Sequence, residues 1–139
     1  MKQLIFLLAV TITAIFSSCE KYEITEYAGI NDTNDSVTVI LIEKKGYSII
    51  HLLPEQTRTF YVEGSNIGGH SNPFDAETHF VYKGKEYVEN SLTGNSIRHK
   101  DAYKYDDTYK DKKGSVNYYY FHITEEYILS LPEMPKTEY

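Results

Sequence analysis

Short apolar, β-branched and aromatic runs, separated by clusters of polar turn formers, recur along this chain, which is the pattern of strands joined by turns. Val37-Thr38-Val39-Ile40-Leu41-Ile42 is rich in β-branched residues. It lies between the turn formers Asn31-Asp32-Thr33-Asn34-Asp35 and the polar run Glu43-Lys44-Lys45-Gly46, so it predicts a strand. Tyr47 to Leu53 predicts its hairpin partner, ended by Pro54-Glu55. From Thr57 to Val62 the chain alternates, with Arg58, Phe60 and Val62 on one face and Thr57, Thr59 and Tyr61 on the other. Glu77 to Tyr82 and Glu86 to Val88 flank Lys83-Gly84-Lys85, which predicts a short hairpin turn. Val116 to Ile123, VNYYYFHI, is aromatic on both faces and predicts a central strand.

The intervening segments are polar. Gly64 to Pro73 and Asn90 to Asn95 read as loops, Ile97 to Tyr105 as a weak strand, and Asp106 to Gly114 as a solvated turn. Thr124 is a good N-cap before Glu125 and Glu126, and Pro132 lies just beyond the apolar Ile128, Leu129 and Leu131, which predicts a short helical turn. No amphipathic helix of three turns is expected. Short strands separated by turn signals predict an all-β chain: a single antiparallel, immunoglobulin-like β-sandwich of about seven strands with that C-terminal turn. A partly closed β-barrel is the alternative.

The N-terminus follows another pattern. Lys2 precedes the uncharged run LIFLLAVTITAIF at 4–16, and the small residues Ser17 and Ser18 stand before Cys19. A charged start, a short apolar stretch and small residues at the cut describe an export signal. The run is shorter than the roughly 17–25 apolar residues that a spanning helix needs. Ser17-Ser18-Cys19 resembles a lipobox, with Phe16 where leucine is usual. The resemblance implies cleavage of 1–18 and lipidation of Cys19. Each buried methylene contributes about 0.8 kcal/mol, so two or three chains would anchor the protein stably. Residues 19–30, which include the acidic EKYEITEYA, read as a tether, and 31–139 as the β-sandwich domain.

Composition narrows the function. The chain has a net charge of −6, and the signal takes away a lysine and no acid. Such a surface lacks the basic footprint that nucleic acid demands. Cys19 is the one cysteine, so a lipidated chain has no thiol left for a disulfide, a zinc site or a nucleophile. Fourteen tyrosines and no tryptophan suit a half-exposed sheet, since tyrosine buries an apolar ring and keeps its hydroxyl wet. Tyr118, Tyr120 and Tyr61 are the candidates for a binding face.

Catalytic signatures are missing. None of His51, His70, His79, His99 and His122 has helical zinc-ligand spacing, although His51, His79 and His122 fall in predicted strands and would have to converge to hold a metal. Asp106, Asp107 and Asp111 do not have calcium-loop spacing, and lysines surround them. No serine sits in a nucleophile elbow. Neither an enzyme, a metal nor a cofactor is expected.

The layout, with the closing segment Tyr120-Phe121-His122-Ile123-Thr124-Glu125-Glu126-Tyr127, resembles small uncharacterised envelope lipoproteins of Bacteroides-type gut bacteria. That resemblance implies an outer-membrane lipid-anchored protein facing the periplasm or the surface, and it supplies no catalytic residues. Asp35-Ser36-Val37 is similar to the O-glycosylation site of such bacteria, which makes Ser36 a candidate for modification. Asn31-Asp32-Thr33 and Asn34-Asp35-Ser36 also match the N-linked sequon. The expected function is a non-catalytic interaction module, held to the membrane by Cys19 and binding a protein or glycan. An acidic inhibitor or immunity-type lipoprotein and a small hydrolase are the alternatives.

Overall fold

The computed structural model describes residues 21–64, 72–90 and 94–135. The signal segment, Cys19 and His70 lie outside the described residues. The fold is the expected β-sandwich, and among the described residues no closed barrel forms. Sheet A has the strand order β4-β1-β8-β7 and sheet B the order β3-β2-β5-β6. The strands are β1 (Tyr22–Asn31), β2 (Val37–Glu43), β3 (Gly46–Leu52), β4 (Thr57–Glu63), β5 (Glu77–Tyr82), β6 (Lys85–Glu89), β7 (Lys104–Lys110) and β8 (Gly114–Ile123). In the constant-type immunoglobulin order the first two strands share a sheet; here β1 and β2 lie in different ones.

The first strand corrects the sequence reading. Residues 22–30, expected to be tether, form β1 in the middle of sheet A. β1 runs parallel to β8 from Tyr22↔Gly114 to Asn31↔Ile123 and antiparallel to β4. Its acids hid its pattern. Glu23 is exposed and Glu26 half-buried, while Tyr27, Ala28 and Gly29 are buried. Gly29 is required: a Cβ there would stand 2.2 Å from the Phe60 ring, which crosses it from the bulged strand β4.

Two further corrections concern the polar stretch before β8. Ile97 to Tyr103 is a series of turns with a 3-10 segment at Lys100–Ala102, and of the expected strand only Lys104 and Tyr105 are extended, as the start of β7. Much of the expected turn, 106–110, belongs to β7. An edge strand whose residues are almost all exposed needs no apolar alternation, and its charges discourage pairing with other chains. The actual turn is tight. Asp111 Oδ1 accepts the backbone N–H groups of Lys113 and Gly114 at 2.8 and 2.9 Å, which holds its carboxyl below the usual carboxylate range.

The expected helical turn is present as α1 (Glu125–Ser130), with the Thr124 hydroxyl accepting from the Tyr127 N–H. The chain beyond it lies along β6, where Val88 N–H donates to the Pro132 carbonyl and Met134 N–H to Glu86. One edge of sheet B is thereby covered. Between the sheets, Val37, Val39 and Leu41 of β2 are fully buried opposite Phe60, Phe121 and Ile123 of sheet A, and Ile128 of α1 closes the end. Each such side chain contributes about 1.5–3 kcal/mol by leaving water.

Candidate binding face

Alternation fixes which residues each sheet turns outward. On sheet A, strand register sets these neighbouring cross-strand rows on the outer face: Ile24, Val116 and Tyr109; Val62, Glu26, Tyr118 and Asp107; Thr59, Ala28, Tyr120 and Lys104. No described element packs on these rows, and Tyr118 and Tyr120 are half-buried while Tyr109 is 57% exposed. Tyr118 and Tyr120 therefore share a face. Tyr109 was missed because it falls in the polar stretch read as a turn.

Tyr61 does not join them. The β4 bulge turns it toward the core-facing side, where its ring packs with Tyr27 at 6.4 Å and Phe74 at 5.9 Å. This inner aromatic cluster continues through Tyr103, which lies 5.4 Å from Tyr27. The ammonium of Lys100 stands over the Tyr27 and Phe74 rings and pairs with Glu63 at 2.7 Å. These tyrosines hold the sandwich together.

Around the outer rings the charge is mostly negative. Glu26 and Asp107 flank Tyr118 in the same row. Glu26 accepts the Thr59 hydroxyl, and Asp107 Oδ1 accepts the Thr108 N–H at 2.7 Å. Partial burial, then Asp106 and Glu26, push the Tyr120 hydroxyl above its ordinary pKa, because each disfavours a phenolate. Among the described residues no cation lies within ion-pair distance of Glu26, Asp106 or Asp107.

The histidines do not converge. His122 faces outward on sheet A, and its Nδ1 meets Asp32 Oδ2 at 2.6 Å. His51 and His79 are on the outer face of sheet B, on strands separated by β2. His51 Nδ1 meets the Thr38 hydroxyl at 2.9 Å, and His99 caps the 3-10 segment. Among the described residues no three metal-binding side chains gather. His122 lines a cavity of about 300 Å³ with Asp101, Lys104 and Asn95, and no serine, threonine or cysteine is among the lining residues.

His79 is held by carboxylates on both ring nitrogens. It is 6% exposed, with Nδ1 2.5 Å from Glu86 and Nε2 2.5 Å from Glu77. A neutral imidazole carries one N–H, and ionised carboxylates only accept, so two such bonds require the imidazolium. Burial alone would lower its pKa; the two carboxylates outweigh burial and raise it.

The candidate modification sites separate by exposure. Asn31 is fully buried, and its amide donates to the Asp35 and Leu52 carbonyls while its Oδ1 accepts from Thr33. No enzyme can reach that nitrogen in the folded chain. Ser36, on the turn that Asn31 pins, is exposed. In the closing segment Tyr127 is a structural post. Its hydroxyl donates to Glu89 at 2.7 Å and accepts from the Ile97 N–H, and burial drives its pKa far upward.

Among the described residues, no helix is long and apolar enough to cross a membrane. Comparison of the chain with protein-family models, with curated proteins and with solved structures found no match.

Proposed function

We propose that this protein is a lipid-anchored lipoprotein of the bacterial envelope, and that its domain is a non-catalytic module binding a protein or glycan through the outer face of sheet A. The observation that carries the binding reading is the open pair of half-buried tyrosines on β8, Tyr118 and Tyr120, with Tyr109 on the neighbouring strand β7. Rings placed this way offer flat, stiff contact area at small conformational cost, and hydroxyls that bond at the rim. The sequence before Glu20 supports the anchored half of the reading. β1 starts at Tyr22, so the domain would sit within a few residues of the lipid on Cys19.

Each half has its own test. Cys19→Ala abolishes incorporation of radioactive palmitate; label that persists in the variant removes the anchor. For the face, a photo-crosslinking residue placed at 120 in living cells gives discrete adducts, while the same residue at 47 on sheet B gives none. Equal adducts at both positions, or none at 120, remove the binding face.

A further inference from the structure

We propose that the outer face of sheet A accepts an arginine side chain of a partner protein, with Tyr118 as its platform between the carboxylates of Glu26 and Asp107. The inference rests on the binding reading above and names its partner. Register places Glu26 on β1, Tyr118 on β8 and Asp107 on β7 in one cross-strand row. Adjacent strands are about 4.8 Å apart, so the two acids stand about 10 Å apart with the ring between them.

Charge decides the occupant. Each of these carboxylates has one bond within the domain, from Thr59 to Glu26 and from Thr108 to Asp107, and a second oxygen remains on each. Asp106 stands beside Asp107 on the same edge, and Asp106, Glu26 and Tyr118 all act on the Tyr120 hydroxyl. Lys104, in the next row beside Tyr120, is the cation on this part of the face and pairs with none of the three acids. A partner that brought an anion here would meet carboxylates without compensation. One that brought only apolar groups would bury them, at a desolvation cost that hydrophobic contact has to overcome.

A cation removes both problems, and arginine fits better than lysine. Its planar guanidinium stacks on a tyrosine ring while its N–H fork points sideways to carboxylates. Lysine's compact ammonium satisfies one acid at a time. Sugars also stack on tyrosines, but they bring no positive charge to the flanking acids, so the charge pattern disfavours a neutral glycan.

The test uses the full chain in a non-ionic detergent and three fluorescent probes: an alternating arginine-serine hexapeptide, its lysine-serine counterpart and a linear glucan hexasaccharide. Anisotropy should show the arginine peptide binding most tightly, with affinity falling as salt rises. Glu26→Gln and Asp107→Asn keep the internal hydrogen bonds, and each should weaken binding about tenfold. Tyr118→Ala should weaken it at least as much, and Tyr47→Ala on the opposite face should leave it unchanged. Arginine-peptide binding that is absent, or indifferent to Glu26→Gln and Asp107→Asn, overturns the inference. Saccharide binding abolished by Tyr118→Ala overturns it too, while leaving the binding face intact. Crosslinks from 120 without arginine-peptide binding separate the two claims in the same way, and absence of both removes them together.

Discussion

The outer faces of the two sheets are written in the same alternation and treat charge in opposite ways. On sheet B the charged groups are turned on one another: the His79 ring stands between Glu77 and Glu86, and the residues around it, Ile40, Ile42 and Ile49, are aliphatic. On sheet A the acids flank tyrosines, and no cation of the described chain answers them. A charge satisfied inside the domain serves its stability, whereas one left facing solvent beside an aromatic ring is available to a partner. The difference directs attention to sheet A, although sheet B also exposes large apolar side chains, with Tyr47 71% and Ile49 51% exposed.

The comparison presumes that both faces hang on one core, and the largest effect should come from attacking it. Phe60→Ala removes the ring that spans Gly29 and should cost about 3–5 kcal/mol in urea unfolding. Both faces should lose their structure in one transition; two separated transitions would show that the sheets are independent.

Next comes the charge that sheet B keeps for itself. The His79 pKa is raised in the folded state, so its stabilisation is complete below about pH 6.5, the unfolded value, and drains away as pH rises through the folded value. Wild-type melting temperature should therefore fall across that window, and His79→Gln should flatten the dependence. An NMR titration of the His79 ring with its midpoint at or below the ordinary histidine value would show that the carboxylates do not hold it.

Smaller effects belong to side chains that face water. Tyr118→Ala should lower stability by no more than about 1 kcal/mol while removing adducts from a crosslinking residue at 120, since the Tyr118 ring is not part of the core. A loss of several kcal/mol would mean that the tyrosine is structural. Ile49→Thr on sheet B should change stability by less than about 0.5 kcal/mol and leave adducts from 120 unaffected. A loss of those adducts would show that the faces are coupled.

Several elements were legible because their signals are local. β2 and its hairpin with β3 are bounded by turn formers on both sides, and the Thr124 cap with Pro132 beyond it delimits α1. Tyr118 and Tyr120, two apart on one strand, had to share a face whatever the register. Tyr61 was not settled so easily, because β4 carries a bulge that puts Phe60 and Tyr61 on the same side. No feature of TRTFYVE announces that irregularity; it follows from fitting Phe60 over Gly29.

What the sequence determined by itself is the all-β character, most of the strands, the acidic surface, and the tyrosine pair on β8, because a two-residue period and turn chemistry act within a few residues of chain. Tertiary structure decided the rest. It drew the acidic segment 22–31 into the centre of sheet A, since its backbone finds partners only in β8 and β4, far away along the chain. The same pairing set Glu26 and Asp107 on either side of Tyr118. Register between distant strands is fixed by the packing of the whole core, and no local pattern records which side chains it will bring together.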